Sequence, residues 1–221
     1  MTQPSGPKLT RRQLQKIALM APGPIALAAA FGATPSGIFA ATPEATPPAY
    51  LPPTPECGDD DDDDITVAQT EGPYFTPNSP ERTSFIEDGM GGERMILTGY
   101  VYSTDCQPVE KALLDFWHCD DQGVYDNEGY RLRGHLFTDD DGLFRLETIK
   151  PGIYPGRTRH IHLKAQAPDG PILTSQLYFP DDEEENAQDG IYDERLLVEW
   201  IEPESEEETR TAVYTFVVET A

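Results

Sequence analysis

From Ile65 onward the chain is a run of short β-branched and aromatic stretches separated by turn residues, and no window carries a helical period long enough for a helix. That rhythm restricts the folded part to all-β structure. The predicted strands span 94–102, 112–118, 142–149, 159–167, 172–179 and 211–219. Asp139-Asp140-Asp141-Gly142 and Pro168-Asp169-Gly170 supply tight turns, because glycine accepts positive φ and aspartate hydrogen-bonds its own backbone. Strands at this spacing pack as one antiparallel β-sandwich over residues 65–221. The acidic stretch 180–189 reads as a surface loop without chemistry.

Charge decides what such a domain can touch. Sixteen Lys and Arg face 40 Asp and Glu, a formal net charge of −24, and that field repels nucleic acid and anionic membrane surfaces. The imbalance belongs to the folded part, since residues 1–57 hold four cations and two acids and the remainder carries 12 against 38. Acidic runs at Asp59–Asp64 and Glu183–Glu185, with only five Lys among the cations, suit a halophilic surface; an ordinary acidic surface fits the same counts.

The front end reads as an address. Thr10-Arg11-Arg12-Gln13-Leu14 precedes an apolar stretch broken by Pro22-Gly23-Pro24, too interrupted for a membrane span. Residues 1–33 resemble a twin-arginine export signal, which implies export machinery as a partner and an extracytoplasmic protein, secreted or tethered. Two chance arginines before an apolar segment are the alternative. Residues 34–64, rich in Pro, Thr and Ala and ending in six Asp, form a linker too polar to repay its ordering entropy, so disorder is expected there. The three cysteines allow one intramolecular disulfide. Cys106 and Cys119 stand roughly 25 Å apart along a ladder, too far to bridge, whereas Cys57 with Cys106 would staple the linker to the domain.

Two of only four His stand as His160-Ile161-His162. On a strand, residues i and i+2 share a face, so both imidazoles aim at one point while Ile161 turns to the core. A chelating pair and a pair of satisfied histidines both fit this pattern. Tyr154 lies in Lys150-Pro151-Gly152-Ile153-Tyr154-Pro155-Gly156, a loop stiffened by Pro and Gly, and Tyr125 follows the turn Asp121-Gln122-Gly123-Val124. Each Tyr is either positioned for function or a packing ring. Together two phenolates and two imidazoles suit a ferric ion.

The series Thr70-Glu71-Gly72-Pro73-Tyr74, Trp117 with Gly123-Val124-Tyr125, Thr138-Asp139 with Gly142, Thr148-Ile149-Lys150-Pro151-Gly152-Ile153-Tyr154-Pro155, Arg157 with His160-Ile161-His162, and Gln176-Leu177-Tyr178-Phe179 resembles the intradiol ring-cleavage dioxygenases. Within them it is most similar to the stand-alone exported members. The resemblance implies their prealbumin-like sandwich and one non-haem Fe(III) per chain held by Tyr125, Tyr154, His160 and His162. It implies a catechol-type substrate chelated through both oxygens and opened with O2 between the hydroxyls to a muconate-type diacid, Tyr154 being the ligand that leaves. Arg157 and Gln176 match the family's active-site pair, and Tyr74 lines the pocket mouth. Arg159 is an unexpected second cation that either points to solvent or competes with Arg157. No cluster for a substrate carboxylate stands out, and catechol, hydroxyquinol, a substituted catechol and protocatechuate all stay open.

Parts of the same series also resemble transthyretin-like accessory domains, which explains the sandwich but not the Tyr and His set. Nothing sets an oligomeric state. The surface reading has its own test: on a halophilic surface the urea midpoint rises as NaCl is raised to molar levels, because screening removes self-repulsion. A midpoint that falls with salt contradicts it.

Overall fold

The computed structural model describes residues 65–203, 205 and 208–221. The export signal expected at 1–33, the linker expected at 34–64 and Cys57 lie outside the described residues. The strands described are β1 (Arg94–Ser103), β2 (Leu113–Trp117), β3 (Arg133–Phe137), β4 (Leu143–Ile149), β5 (His160–Gln166), β6 (Leu173–Tyr178), β7 (Glu199–Ile201), β8 (Arg210–Val213) and β9 (Phe216–Val218). One sheet has the order β4-β1-β8-β7 with β9 also on β1, and the other has the order β3-β2-β5-β6. The all-β sandwich is therefore present. It is not wholly antiparallel, because β8 and β9 both run parallel to β1.

The predicted strand at 211–219 is split into β8 and β9, and between them the chain passes against Gly99. A Cβ built there would stand 1.8 Å from the Tyr214 carbonyl oxygen, so only glycine lets the two backbones meet this closely. Two strands escape the sequence pattern. β3 reads Arg-Gly-His-Leu-Phe and β7 has three residues, so neither shows alternation. The stretch 180–189 is not a loop: Glu183–Gln188 form a short helix, α1, whose six residues are too few for periodicity to reveal.

Alternation along each strand decides which side chains fill the space between the sheets. On β5, Ile161, Leu163 and Ala165 are fully buried in the main core with Leu114 and Phe116 of β2 and Leu97 and Leu146 from the facing sheet. Each of the Ile, Leu and Phe side chains contributes on the order of 2 kcal/mol by leaving water, and Ala165 less. The opposite face of the β3-β2-β5-β6 sheet then carries Arg133, Trp117, His162 and Gln176 as one rung, since Trp117 pairs with both Arg133 and His162 and His162 pairs with Gln176.

The segment before β1 crosses that face like a strap. The Gln69 amide bonds Thr174 O on β6 at 2.8 Å, Gly72 lies against His162, Phe75 packs on Trp117, and the Arg82 amide reaches His135 O on β3 at 2.9 Å. Beside the strap, two loops meet backbone to backbone. The Gly123 and Gly152 amides both donate to Asp120 O, at 3.0 and 2.8 Å, and a Cβ on Gly123 would lie 2.2 Å from Ile153 O. This approach brings Tyr125 and Tyr154 side by side. His118 ties the layers together: Nδ1–H donates to Cys119 O, and Nε2 accepts from the Thr148 hydroxyl, each at 2.7 Å. Cys106 is disulfide-bonded and Cys119 is a buried free thiol, as the ladder separation anticipated.

Two outcomes follow from this packing. Gly123→Ala, at φ +79° and against backbone, lowers stability by about 3 kcal/mol, whereas Gly156→Ala, at φ +82° in open space, costs about 1–2 kcal/mol; guanidinium unfolding compares them, and equal losses would contradict the account. Burial pushes the His118 pKa down to about 4. Between the ordinary imidazole value of about 6.5 and this one, the unfolded chain binds the extra proton, so stability falls as pH falls through that window. His118→Gln shows a shallower loss from pH 7 to pH 4 in thermal melts.

Candidate metal centre

His160 and His162 share a face of β5, and the strand is short of solvent on both sides, with the two residues 3% and 2% exposed. Their Nε2 atoms stand 3.1 Å apart, and the Tyr125 hydroxyl lies 3.3 Å from His160 Nε2. The Thr158 carbonyl settles the His160 tautomer. A carbonyl only accepts, so the 2.7 Å contact places the proton on Nδ1 and leaves the Nε2 lone pair facing the other two groups. Burial lowers both histidine pKa values, His160 to about 4, helped there by the Arg157 charge, so both rings are neutral at pH 7. The His162 ring stacks on Trp117 at 5.0 Å with planes 3° apart, which fixes its orientation.

These separations fit a shared cation. With metal–ligand distances near 2.1 Å and angles of 90–110°, neighbouring donors stand roughly 3.0–3.4 Å apart. No group of three or more His, Cys, Asp or Glu suited to a metal occurs among the described residues, so an ion here takes phenol oxygens beside the two imidazoles. That donor set favours a hard trivalent ion over zinc. Tyr125 is buried, and burial raises its pKa against the lowering influence of Arg157 and Arg133. The Arg133 guanidinium stands 6.0 Å from the centre of the Tyr125 ring and donates to Tyr74 O and Asp126 O.

Tyr154 sits at the same cluster, with its ring edge-on to Tyr125 at 5.9 Å, but its hydroxyl is bonded to the Tyr74 hydroxyl at 2.8 Å. That bond is the main reason the Tyr74 pKa is raised. Tyr74 in turn stacks on Tyr125 at 4.3 Å, so the residue expected at the pocket mouth is part of the site itself.

The second predicted pair also meets. Arg157 donates from Nη2 to Gln176 Oε1 at 2.7 Å, and Gln176 Nε2 is held by Thr70 O at 2.8 Å. Arg159 does not compete, because its guanidinium is paired with Asp182. Three residues of the site had no role assigned from the sequence, although Trp117 stands in the motif series. Trp117 and Arg133 are placed by strand register, and the β3 pattern that could have located Arg133 is too irregular to read. Asp189, from the stretch taken for an inert loop, accepts from Arg157 Nε at 2.8 Å and from the Thr158 amide at 3.1 Å. Its acidic neighbours disguised it as surface.

Comparison with known proteins identifies the family of the fold. A family model described as Dioxygenase matches residues 70–220. The hydroxyquinol 1,2-dioxygenase of Nocardioides simplex is 30% identical over 144 residues, covering 54% of this chain and 49% of the relative. The catechol 1,2-dioxygenase of Acinetobacter baylyi is 25% identical over 144 residues, covering 52% and 46%. The chain thus spans about half the length of these relatives. Among solved structures, the dioxygenase domain of a dioxygenase and carbohydrate-binding fusion from Streptomyces sp. SirexAA-E is 47% identical, with TM-score 0.67 over 72% of this chain and 100% of that one. The 3-chlorocatechol 1,2-dioxygenase of Rhodococcus opacus is 26% identical with TM-score 0.66, covering 71% of this chain and 73% of that one. With the family model matched over residues 70–220, well over half of the chain, and the same fold in these structures, the chain belongs to the intradiol ring-cleavage dioxygenase family.

Proposed function

We propose that the domain holds one non-haem ferric ion through Tyr125, Tyr154, His160 and His162 and cleaves catechol-type rings between their hydroxyls with O2. The observation that carries this reading is that His160 Nε2, its tautomer preset for metal binding, stands 3.1 Å from His162 Nε2 and 3.3 Å from Tyr125 Oη in a buried site. When bound, the ferric ion depresses the phenol pKa values, binds both catechol oxygens and makes the ring reactive toward O2. The protein supplies the rest. Trp117 and Thr158 hold the two imidazoles, and Gly72 on the strap walls the His162 side. Tyr154 would be the exchangeable ligand: as the phenolate it would accept a proton from the incoming catechol, and the hydroxyl so formed would rest on Tyr74 Oη, the partner it already has here. Arg157, steadied by Gln176, is a fixed cation for negative charge developing on the ring.

The substrate reading extends to ring substituents. Arg159 and Lys164, cations beside and on the histidine strand, sit on Asp182 and Glu71, so neither is free for a carboxylate on the ring. Uncharged catechols are the preferred class. Export through the twin-arginine route is part of the same reading, and the disulfide-bonded Cys106 supports it because such bonds persist outside the reducing cytoplasm.

Tyr125→Phe and His162→Ala each lose most of the bound iron, measured by metal analysis against about one ion per parent chain, while their far-ultraviolet circular dichroism stays as in the parent. Full iron in the double variant overturns the ligand set. Turnover of catechol under 18O2 yields a diacid carrying both labelled atoms, and protocatechuate is processed at least about tenfold less efficiently, a difference of about 1.4 kcal/mol. Equal efficiency on the two substrates would contradict the uncharged-ring preference.

A further inference from the structure

The stretch 180–189 puts a buried carboxylate behind the active-site arginine. Asp189 has a side chain 1% exposed, at the C-terminal end of α1, where its own amide bonds Glu185 O at 3.1 Å. Three donors converge on it. Oδ2 accepts from Arg157 Nε and from the Thr158 amide, and Oδ1 accepts from the Ile191 amide at 3.1 Å. On the other side of the guanidinium, Nη2 is bonded to Gln176 Oε1 and lies 3.4 Å from the Tyr178 hydroxyl. Two of the three guanidinium nitrogens are thus held. Nη1 is the one with no protein hydrogen bond among the described residues. Arg157 is anchored at its backbone as well, its amide donating to Tyr154 O at 3.0 Å. A flexible four-torsion side chain is reduced to one direction of approach, with a single pair of donors left to point at substrate.

The helix reinforces the grip. Asn186 Oδ1 accepts from the Thr158 hydroxyl at 2.7 Å, and its Nδ2 donates to Phe179 O at 2.9 Å, which fixes α1 to the end of β6. A carboxylate is required at position 189 for a donor-counting reason. An asparagine there turns its NH2 toward Arg157 Nε and Thr158 N–H, or toward Ile191 N–H, and meets a donor with a donor either way.

We propose that Asp189 is a positioning residue for ring cleavage: it orients Arg157 so that Nη1 faces the reacting ring, acting through the arginine and not on substrate. This rests on the ferric dioxygenase reading. It places a determinant of turnover on a short acidic helix outside the ligand set.

The test is a double-mutant cycle on full-length, iron-loaded protein with catechol as the probe. Asp189→Asn keeps the iron stoichiometry and the tyrosinate charge-transfer band of the parent, lowers kcat at least about tenfold and leaves KM within about threefold. In an Arg157→Ala background the same substitution changes kcat by less than about twofold, because its route of action is gone. Asp189→Glu, which keeps the charge and displaces it by one methylene, folds, carries the band and has a kcat between the parent and the Asn variant. An Asn variant with parental kcat, an equal loss in the Arg157→Ala background, loss of iron with the Asn substitution, or a Glu variant no better than Asn overturns the proposal. A parent without band or turnover ends the dioxygenase reading and this proposal together; a competent parent with an unaffected Asn variant ends this proposal alone.

Discussion

The two-residue period of β5 is the constraint on which the site depends. Ile161 and Leu163 are fully buried between the sheets, and a one-residue slip of that strand would send both into the strap and turn His160 and His162 into an apolar core. The cost of burying two neutral imidazoles there, with no metal and few partners, fixes the register from the opposite side. Register then does the remaining placement. The pairing of β5 with β2 and β6 lays Trp117, His162 and Gln176 in one row, so the ring that orients the histidine and the amide that steadies Arg157 arrive with it.

Glycine completes what the strands begin. Tyr125 and Tyr154 come from loops at the end of the sheet, and they meet because Gly123 and Gly152 let two backbones touch where any side chain would separate them. The site is costly. Trp117 Nε1, Arg133 Nη2 and His162 Nδ1 are buried without a protein hydrogen bond, and atoms of this kind cost about 1–3 kcal/mol each. Three of the four such side-chain atoms among the described residues, Asp182 Oδ2 being the other, fall on neighbouring positions of one rung, which marks where stability has been given up for function.

Much of this was legible in the chain before any fold was known, and the exceptions share a cause. Strands with clean alternation were located to within a residue or two, and the His-x-His spacing led directly to the centre. The separation of Arg157 from Arg159 by role required partners that sequence does not show, Gln176 for one and Asp182 for the other. β3 was hidden because Arg133, Gly134 and His135 are buried or half-buried by the strap rather than by their own hydrophobicity. Asp189 was hidden among acids that face solvent, and only the turn at the end of α1 carries it inward. The sandwich alone would have suited a binding module equally well; the Tyr and His set distinguishes the two.

The most direct test of the account is the visible absorption spectrum of iron-quantified protein before and after anaerobic addition of catechol. A red-brown tyrosinate-to-iron band at about one iron per chain, moving to longer wavelength when catechol binds, is the predicted result. Colourless protein that takes up no iron after reconstitution, or a band indifferent to catechol, would contradict the central claim that these four side chains hold a ferric ion for ring cleavage.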